Sequence, residues 1–583
     1  MRAAFVAINL AVVLALAALA TQWPPAGFAF LLVGPLMLLG TRSVFAGALS
    51  ARALFVTTAC VSSGALAGLA ALWPQAAYGF AIVGPIVMLG CVDMLQKRQA
   101  VRRNFPVIGH ARYLLEKIRP EIQQYFVEAN TDGRPFTREE RSIVYQRAKG
   151  QLDTLPFGTQ RDVYAVGYEW INHSLAPGEV ADPPPRVRIG AATCRLPYEA
   201  ALLNVSAMSF GALSGNAIMA LNRAAKAGRF AHNTGEGSIS PYHRQGGHLI
   251  WQVGTGYFGC RDEHGRFSPE LFRETAADDA VKMIEVKLSQ GAKPGHGGIL
   301  PAAKITPEIA AIRKVPLGED VLSPPAHSAF STPIELLEFL SELRELSGGK
   351  PVGMKLCVGK RREFLAICKA MLETRLHPDY IVVDGAEGGT GAAPQEFSNA
   401  LGCPLTEALV FVDNALAAIG VRDRVKLVAS GKIVSGFGMV KLMALGADLC
   451  YSARAMMMAL GCIQARRCNS NDCPVGVATQ DPALTVGLDV GDKAQRVGRY
   501  QRQTVHAALE LVAAAGLPGP EALRPWHVMR RISPSEVRHY GELFERFEPG
   551  CLVGGIVPAS LERAWNGSLS YSFDSPDKAG DVR

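Results

Sequence analysis

Eight short β-rich runs, each followed by a helical stretch, occupy residues 203 to 452 of this 583-residue chain. Strands that alternate with helical patterns in this way are typical of βα units, which build parallel sheets. Eight units are the number that a closed (β/α)8 barrel requires. The sequence therefore predicts an α/β chain with a TIM barrel. The candidate strands are 203–208, 229–233, 249–253, 282–287, 352–357, 380–384, 426–430 and 448–452.

Polar residues and glycines follow these strands, at the end of the barrel where chemistry takes place in this fold. Phosphate groups commonly bind after the seventh and eighth strands, where backbone N–H groups point at the anion. Ser430-Gly431-Lys432 and Tyr451-Ser452-Ala453-Arg454 occupy those two positions. Gly431 lets the backbone approach a phosphate closely, and Arg454 offers a two-pronged donor. Taken singly, each loop is a weak signal, since a glycine after a strand is usually only a turn, but the two loops together favour a phosphate site.

Three cysteines lie close together in the sequence: Cys462, Cys468 and Cys473, spaced C-x5-C-x4-C and followed by Pro474. Thiolates are ligands for zinc, copper(I) or iron–sulfur clusters. Structural zinc sites almost always use four ligands, and the nearest histidine, His506, is far downstream. Three thiolates therefore favour a three-iron cluster, with unrelated buried or disulfide-bonded cysteines as the alternative. The other cysteines are scattered, so the chain is not a secreted disulfide framework, and thiolate ligands imply a reducing compartment.

The cysteine segment and several upstream motifs resemble the glutamate synthase family. The resemblance covers roughly residues 190 to 485, and its motifs stand in the family's order. It implies an FMN-binding barrel of the glutamate synthase type with a 3Fe–4S cluster beside it. The matching segments are MSFGALS (208–214), NTGEG (233–237), GAKPG (291–295), GGTGAAP (388–394) and GCIQARRCNSNDCPVGVATQ (461–480).

The resemblance also implies which residues contact the flavin. The glycine-rich loop 385–394 lies against the flavin by resemblance, although a merely flexible loop is the alternative. Lys355 lies in an apolar predicted strand. A cation near flavin N1 would stabilise the reduced ring; the alternative is a surface lysine at the strand end. The predicted FMN contacts are Ser209, Thr234, Gln252, Lys355, Gly388, Gly389, Gly391, Ser430, Gly431, Ser452 and Arg454, and the predicted cluster ligands are Cys462, Cys468 and Cys473.

The activity implied by the resemblance is reductive amination of 2-oxoglutarate, a step of glutamate biosynthesis. Ammonia condenses with the keto carbon, reduced FMN delivers hydride to the imine, and the cluster relays electrons from an external donor. A dicarboxylate needs cations, and Lys293 is the first candidate, with a solvated loop lysine as the alternative. Glu236 and His296 are candidate proton carriers, although a lone histidine is more often structural.

Two departures from the family bear on the substrates. Its usual members begin with a glutamine amidotransferase that has an N-terminal cysteine nucleophile, whereas this sequence begins Met1-Arg2. Glutamine hydrolysis by that route is therefore not expected, and ammonia, a separate subunit or another amino donor is needed. His296 replaces the family's acidic residue in the Lys-Pro-Gly loop and Ile299 replaces the following glutamine, which leaves the identity of the substrate open.

Two other functions remain open besides the glutamate synthase-like one. The chain is alternatively a membrane-bound FMN and iron–sulfur oxidoreductase of another amino or 2-oxo acid, exchanging electrons with quinone. It is alternatively a non-catalytic electron-transfer module. The candidate electron donors are ferredoxin, an NAD(P)H-linked subunit and quinone. The formal net charge is +8, but the basic excess is partly local, and no nucleic-acid partner is expected.

The N-terminal hundred residues are strongly apolar, in a chain whose mean hydropathy is +0.13. Four segments, 4–20, 25–40, 53–72 and 78–91, contain no charged side chain, and Trp23-Pro24 recurs as Trp73-Pro74. The sequence predicts a duplicated hairpin of transmembrane helices. The basic residues near 2, 42–52 and 97–103 fall on one side, which predicts a multi-pass protein of the inner (plasma) membrane with a cytoplasmic catalytic part. A cleaved signal peptide ending near Ala20, or one re-entrant hairpin, is the alternative.

Changes in composition and proline-rich boundaries divide the chain into four predicted domains. These are transmembrane hairpins (1–95), a helical connecting region (96–190), the barrel with its iron–sulfur loop (191–485) and a C-terminal helical extension (486–583). In the connecting region, the sequence predicts a helix at 110–127 that is kinked at Pro120. A capping box of Thr137 and Glu140 precedes a second predicted helix at 138–149. The region is interpreted as a lid or spacer. A C-terminal helix ends at Gly516, residues 517–550 are predicted to be helical, and the tail past Ser568 to be disordered.

Overall fold

The computed structural model describes residues 18, 21–22, 50–190 and 194–574. The chain divides into two compact units, residues 1–128 and residues 129–583, which are treated separately below. Apart from residues 18, 21 and 22, the first half of the apolar N-terminal region lies outside the described residues. The predicted spans 4–20 and 25–40 therefore remain untested, as does the end of the predicted disordered tail.

The first unit consists of helices. They are α1 (Ala51–Leu72), α2 (Phe80–Leu95), α3 (Ala100–Asn104) and α4 (Gly109–Ile122), with a 3-10 turn at Pro74–Gly79 and a π-helical turn at Gln123–Val127. Among the described residues, Ala51–Leu72 and Pro74–Leu95 are long and apolar enough to cross a membrane. The predicted apolar segments 53–72 and 78–91 are thus helical. Length and composition alone are weak evidence for insertion, so membrane spanning stays a prediction.

Among the described residues, the strands all belong to the second unit. They are β1 (Glu169–Ile171), β2 (Arg186–Ile189), β3 (Tyr198–Ala201), β4 (Leu203–Val205), β5 (His232–Asn233), β6 (Leu249–Val253), β7 (Val281–Lys287), β8 (Ile299–Leu300), β9 (Val321–Leu322), β10 (Val352–Leu356), β11 (Tyr380–Asp384), β12 (Lys426–Ser430), β13 (Leu449–Ser452), β14 (Val528–Arg531) and β15 (Val537–His539). Eight of them, β4 to β7 and β10 to β13, pair in parallel, and β13 pairs with β4 to close a barrel. The predicted TIM barrel and all eight of its predicted strands are confirmed.

Helices surround the barrel and connect its strands. The helices of the second unit are α5 (Arg138–Lys149), α6 (Gly215–Gly228), α7 (Pro269–Ala276), α8 (Pro307–Arg313), α9 (Pro333–Leu346), α10 (Arg361–Thr374), α11 (Gln395–Ala400), α12 (Leu405–Ala418), α13 (Gly436–Ala444), α14 (Arg454–Leu460), α15 (Pro482–Thr485), α16 (Val490–Ala514), α17 (Tyr540–Leu543) and α18 (Glu562–Asn566). Strand β11 is buried along its whole length, since its two faces meet the barrel interior and the helical layer.

The barrel interior is filled by side chains that alternate along the strands. Met283, Tyr380, Val382, Val428 and Tyr451 form one buried cluster inside the barrel. Tyr198 and Ile189 of the β2–β3 hairpin join the same cluster, so the hairpin packs against the interior. The opposite faces of the strands join the larger core with the surrounding helices. The interior is therefore a packed core, and any ligand site must lie at a rim.

The connecting region follows its sequence signals closely. Thr137 Oγ1 accepts a hydrogen bond from Glu140 N at 3.2 Å, and Glu140 Oε2 accepts one from Thr137 N at 2.7 Å. The predicted capping box and the helix after it are thus confirmed, and the helix ends at Gly150, which has a φ of +68°. In the first unit, α4 runs past Pro120 and then widens into the π-helical turn, so the change of geometry comes just after the proline.

The C-terminal extension is only partly as predicted. Helix α16 ends at Ala514, with Gly516 at a φ of +73°, as the glycine predicted. The prediction of helix over 517–550 is wrong, because Pro518, Pro520, Pro525 and Pro534 remove backbone donors that a helix needs. That segment instead forms β14 and β15, and β14 pairs with β1. The pairing of β14 with β1, more than 350 residues upstream, could not be predicted from the local sequence pattern.

A buried ion pair beneath the barrel gives the first testable prediction. Arg344 Nε lies 3.0 Å from Asp379 Oδ2, which also accepts a hydrogen bond from Val352 N. Arg344→Met leaves the fully buried carboxylate without its cation, a change that typically costs about 3–5 kcal/mol. We expect a lower apparent melting temperature for the full chain. Arg424→Met, at an exposed arginine, is the control, and equal shifts for the two variants contradict the prediction.

Candidate active site at the carboxyl ends of the strands

A cavity of about 720 Å³ opens at the carboxyl ends of the barrel strands. This volume lies within the roughly 300–1,000 Å³ that ligand sites usually occupy. All eight barrel strands, or the loops that follow them, contribute to its wall. In chain order these wall residues are Ser206, Ser209, Glu236, Gln252, Lys287, Lys355, Asp384, Ser430, Gly431, Ser452 and Arg454. The cavity is the rim site that the packed interior requires.

One end of the cavity is shaped for an anion. Gly431 has a φ of +146°, which favours glycine, and it lines the wall beside Ser430. Ser452 Oγ donates to Ile433 O at 2.8 Å, which ties together the loops after β12 and β13. Helix α14 begins at Arg454 without a side-chain cap, so its first amides have no side-chain acceptor within the described chain. The structure thus brings together Ser430, Gly431, Ser452 and Arg454, as predicted for a phosphate site.

Arg454 and the glycine-rich loop lie in direct contact. Arg454 Nη2 donates to Glu387 O at 2.6 Å, and burial lowers the pKa of the guanidinium from its ordinary value. A Cβ on Gly389 would lie 2.7 Å from Arg454 Cδ, so only glycine leaves room for the arginine there. Gly388, Gly389 and Gly391 all line the cavity. The loop is therefore a wall of the site, as the resemblance implied.

Lys355 is a buried cation on the cavity wall. Its Nζ lies 3.6 Å from Asp384 Oδ2, and Ser430 Oγ donates to Asp384 Oδ1 at 2.6 Å. Gly291 N also donates to Asp384 Oδ2, at 2.8 Å. Because the ammonium is held by a carboxylate that is itself anchored twice, its position is well defined. The alternative of a surface lysine at the strand end is wrong.

Gln252 reaches the cavity wall and is held from behind by a buried carboxyl group. Its Nε2 donates to Glu285 Oε1 at 2.5 Å, and Asn233 Nδ2 donates to the same oxygen at 3.0 Å. Burial raises the pKa of Glu285, and nearby Lys355 opposes that rise. Thr234 lies behind the wall, where its Oγ1 accepts from Gln252 N at 3.1 Å. The structure brings Gln252 to the cavity but does not bring the Thr234 side chain onto its wall.

The candidate catalytic carboxylate is surrounded by cations. Glu236 Oε1 lies 2.8 Å from Lys287 Nζ, and its side chain remains 19 % exposed because it faces the cavity. Desolvation raises the pKa of Glu236, but Lys287 outweighs it, with help from Lys293 and Arg313, so the pKa falls below its ordinary value. Burial lowers the pKa of Lys293 to about 8, against an opposing contribution from Glu236. Glu236 and Lys293 thus share one charged group, as predicted.

His296 does not join this group. Its ring is half-buried and packs edge-on against Phe397, with 5.0 Å between the ring centroids. The His296 side chain is not part of the cavity wall, whereas Ile299 is. The structure therefore does not bring the predicted proton carrier to the cavity, and the apolar Ile299 replaces a polar family residue on the wall.

The cysteine segment reaches the same cavity from the other side. Cys462 and Cys468 line the wall, while Cys473 is buried behind it with 6 % exposure. Burial raises the pKa of the Cys462 thiol to about 12, with further contributions from Cys468 and Cys473. The three thiols are thus close enough to act on one another. A Cβ on Gly391 would lie 3.8 Å from Cys468 Cβ, so the glycine-rich loop contacts the cysteine segment.

The metal expected at these cysteines is not established by the geometry. Among the described residues, no group of three or more His, Cys, Asp or Glu side chains is placed to hold one metal ion. A cluster of several irons spaces its thiolates more widely than a single ion, because each sulfur bonds a different iron. The donor set is three thiols on one short segment, two of them half-buried and one buried, and it fits such a cluster in chemical type. The cluster stays a prediction.

A segment upstream of the barrel covers part of the cavity. Phe136 lines the wall, and its ring centre lies 4.8 Å from the Arg454 guanidinium carbon. Phe136 N donates to Gln464 Oε1 at 3.2 Å, and Tyr145 Oη donates to Cys462 O at 2.8 Å. Residues 134–145 therefore pack on both the anion-binding end and the cysteine segment, as a lid does.

Residues 191–518 match the family model described as the conserved region in glutamate synthase. The match covers more than half of the chain. The chain belongs to the glutamate synthase family. Relatives of this family member are named glutamate synthases, and the family assignment agrees with the motif order in the sequence.

Three named relatives illustrate the extent of the similarity. The glutamate synthase large subunit-like protein YerD of Bacillus subtilis is 37 % identical over 497 residues, which are 78 % of this chain and 94 % of that protein. The archaeal glutamate synthase (NADPH) of Methanocaldococcus jannaschii is 37 % identical over 322 residues, 55 % of this chain and 60 % of that protein. The archaeal-type enzyme of Thermotoga neapolitana is 35 % identical over 321 residues, with the same coverage. The similarity to YerD thus extends beyond the barrel.

Solved structures resemble this glutamate synthase-family chain only distantly. Mandelate oxidase with (S)-2-phenylpropionate aligns at 17 % identity and a TM-score of 0.37, covering 68 % of this chain and 98 % of that chain. Mandelate oxidase with (S)-4-hydroxymandelic acid aligns at 16 % identity and a TM-score of 0.39, covering 70 % and 93 %. The barrel of this family member is established by its own strand pairing, not by these alignments.

Three cationic residues of the site were not predicted from the sequence. Lys287 is the last residue of β7, and the charge-in-an-apolar-strand signal that identified Lys355 applies to it equally. Arg313 Nη2 donates to Ser209 Oγ at 3.2 Å and Phe210 O at 2.8 Å. Lys304 Nζ donates to Ala212 O at 2.8 Å and Cys468 O at 3.0 Å. Arg313 and Lys304 come from the long insertion between β7 and β10, where no local pattern marks them.

Proposed function

We propose that this chain is an FMN-dependent, glutamate synthase-like oxidoreductase that converts 2-oxoglutarate and ammonia to glutamate. One observation carries the proposal. A single cavity holds a glycine-lined anion site, a cationic group around Glu236 and two of the three clustered cysteines. An oxidoreductase that relays electrons to a bound substrate needs these three parts side by side. The names of the relatives support the choice of substrate.

The flavin is proposed to lie along the cavity wall with its phosphate at the loops after β12 and β13. Gly431, Ser452 and Arg454 would hold the phosphate, and Lys355 and Gln252 would face the ring. When bound, FMN supplies hydride for the imine carbon and a 3Fe–4S cluster at Cys462, Cys468 and Cys473 supplies its electrons. Gly389, which lies close to Arg454, and Lys355, which pairs with Asp384, are features that suit the wall of a flavin site.

The charges around Glu236 fit a dicarboxylate. Lys287, Lys293 and Arg313 carry three positive charges against one carboxylate, which leaves two positive charges for the two carboxylates of 2-oxoglutarate. Arg313 Nε has no hydrogen-bond partner in the described part of the chain, although it is buried. A buried guanidinium edge facing a cavity matches a carboxylate in a two-pronged arrangement. Glu236, ionised beside Lys287, is the proposed group that accepts and returns a proton at the reacting nitrogen.

The electron donor and the location of the protein are also proposals. The archaeal-type relatives carry NADPH in their names, so an NAD(P)H-linked subunit stands beside ferredoxin and quinone as a donor. The two span-length helices support a multi-pass protein of the inner membrane with the barrel in the cytoplasm. Free ammonia, from solution or from a separate subunit, is the proposed amino donor.

A single anaerobic experiment separates the proposed function from its alternatives. The full chain is reduced with dithionite and mixed with 2-oxoglutarate and ammonium, while flavin absorbance and glutamate are followed. Flavin reoxidation with formation of glutamate supports the proposal. Reoxidation only with a different 2-oxo acid, or turnover only with quinone and another acid, points to the second function. A flavin that no acid reoxidises points to an electron-transfer module.

The pKa of Lys293 predicts how substrate binding depends on pH. Burial lowers this pKa to about 8, so the ammonium is present below pH 8 and is lost as the pH rises through that value. We expect the Kd of 2-oxoglutarate to rise above pH 8, approaching about tenfold per pH unit as the cation is lost. The Kd is measured by titrating the oxidised flavoprotein and following flavin absorbance. Lys293→Arg keeps the charge and should flatten the profile; an unchanged slope contradicts this role.

A further inference from the structure

Helix α4 and the π-helical turn after it present an apolar surface to the outside. Ile108, Leu114, Leu115 and Phe126 are 77, 59, 57 and 85 % exposed. Ile118, Ile122 and Tyr125 are exposed as well. No other part of the described chain covers these side chains. So much exposed apolar surface on one short segment needs an explanation, because scattered single residues are normal but a contiguous patch is not.

The exposed apolar residues share one side of the helix. At about 100° per residue, Leu114, Leu115, Ile118 and Ile122 fall within an arc of roughly 100°. Arg112, Glu116, Lys117 and Gln123 lie outside that arc. We call Leu114, Leu115, Ile118 and Ile122, extended by Tyr125 and Phe126, the outer face of α4. An amphipathic helix of this type lies flat in an apolar–aqueous boundary.

The segment that carries the outer face is strongly basic. Between residues 96 and 122 there are seven lysines and arginines but only two acidic residues, Glu116 and Glu121. The basic residues are Lys97, Arg98, Arg102, Arg103, Arg112, Lys117 and Arg119. Such a segment next to an apolar helix is attracted to anionic lipid head groups. Just after this segment, Tyr125 is of the residue type that prefers the head-group level, and Phe126 is of the type found on the buried face of interfacial helices.

A buried contact holds α4 at the end of the apolar helix α2. Asp93, in the last turn of α2, is 2 % exposed and accepts a hydrogen bond from Val107 N at 2.9 Å. Its Oδ1 also lies 2.8 Å from His110 Nε2, in the first turn of α4. Arg102 of α3 lies over the Tyr113 ring at 4.7 Å, which fixes the intervening turn. The outer face is therefore held at the basic end of a span-length helix.

We propose that the outer face of α4 lies in the head-group layer of an anionic phospholipid bilayer, as an interfacial helix that follows the second apolar helix. The occupant is lipid because the face is continuous with the span-length helices of the same unit and because its flanks are basic. This goes beyond the proposed chemistry and rests on the proposed membrane location. The helix then sets the depth and orientation of the chain where it leaves the membrane.

Photo-crosslinking in the full chain tests this proposal directly. p-Benzoylphenylalanine is introduced at Leu115 or Ile118 on the outer face, and at Glu116 or Lys117 as matched controls one residue away. The protein is reconstituted in vesicles of phosphatidylethanolamine and phosphatidylglycerol, irradiated and analysed by peptide mass spectrometry. We expect lipid adducts at the first two positions and none above background at the controls. These exposed positions tolerate substitution, so folding is not the limiting factor.

Other outcomes overturn the proposal in distinguishable ways. Crosslinks from Leu115 or Ile118 to this chain or to a second copy identify a protein occupant instead of lipid. Equal adducts at all four positions show that the face is not oriented. A yield unchanged when phosphatidylcholine replaces phosphatidylglycerol overturns the preference for anionic lipid. A probe at Ile82 of α2 tests the apolar helices separately. A lipid adduct at Ile82 without one at Ile118 supports the proposed membrane location but contradicts the proposal that α4 is an interfacial helix.

Discussion

Replacing Cys468 by serine is expected to abolish the iron–sulfur cluster while the flavin stays bound. Cys468 lines the cavity, and its backbone carbonyl is held by Lys304 Nζ at 3.0 Å, so the segment keeps its position when the side chain changes. A serine hydroxyl does not supply the soft thiolate that iron in a sulfide cluster requires. Iron and acid-labile sulfide in anaerobically purified protein should fall to background, and the EPR signal of the oxidised three-iron cluster should vanish.

The control for this experiment is a cysteine of the same unit outside the cluster segment. Cys403 is half-buried, burial raises its pKa, and it does not line the cavity, so Cys403→Ser should keep its full iron content. Flavin absorbance should be unchanged in both variants. In Cys468→Ser, flavin reduced directly by dithionite should still be reoxidised by 2-oxoglutarate and ammonium in one turnover. Full iron content in Cys468→Ser, or none in the unmodified protein, contradicts the proposed cluster.

Arg313→Gln is expected to raise the Kd of 2-oxoglutarate about a hundredfold. Removing one partner of a buried, hydrogen-bonded charge pair costs about 2–5 kcal/mol, and each 1.4 kcal/mol is a factor of ten in Kd. Burial lowers the pKa of Arg313 to about 10, so the side chain remains a cation at neutral pH. Glutamine is polar but shorter, and it has neither the charge nor the fork of donors. The flavin should remain bound, because the predicted phosphate contacts lie on other loops; since Arg313 also donates to Ser209, a predicted FMN contact, the flavin content of the variant is measured as well.

Arg261 offers a matched control for Arg313. Both guanidinium groups lie over the Phe258 ring, at 5.4 Å and 5.3 Å, but only Arg313 lines the cavity. Arg261→Gln should therefore leave the Kd unchanged. Arg313→Lys keeps the charge but loses the planar donor edge, so an intermediate Kd is expected. The titration is followed by flavin absorbance in the oxidised protein. A Kd that is the same in Arg313→Gln and the unmodified chain assigns the substrate carboxylates to other residues.

The barrel was predictable because its strands carry strong local signals. A strand buried on both faces is a short run of apolar residues, as Tyr380–Asp384 illustrates, and eight such runs that alternate with helices predict a parallel barrel. The capping box at Thr137 was equally local, since all of its bonds lie within four residues. The helix prediction for residues 517–550 was wrong for the opposite reason. Its strand β14 exists because β1, far upstream, offers a partner edge.

The residues of the proposed cofactor side of the cavity were more predictable than those of the proposed substrate side. Gly431, Ser452 and Arg454 follow strands directly, so the fold itself carries them to the rim, and Cys462 and Cys468 share one short segment. Arg313 and Lys304 lie in an insertion whose course across the rim no local pattern reveals. His296 has suitable chemistry and lies on the predicted loop, but its ring packs edge-on against Phe397 and does not line the cavity.

The amino-acid sequence by itself determined the elements of this protein: the order of its strands, the apolar N-terminal helices, the glycine loops and the position of its three clustered thiols. These depend on interactions between residues near in the chain, which leave a pattern that can be read. Tertiary structure alone decided which charges meet. Glu236 and Lys293 lie on two separate loops, Arg313 ends helix α8 and Lys287 ends strand β7. Their mutual electrostatic field exists only once the closed barrel brings them to one rim.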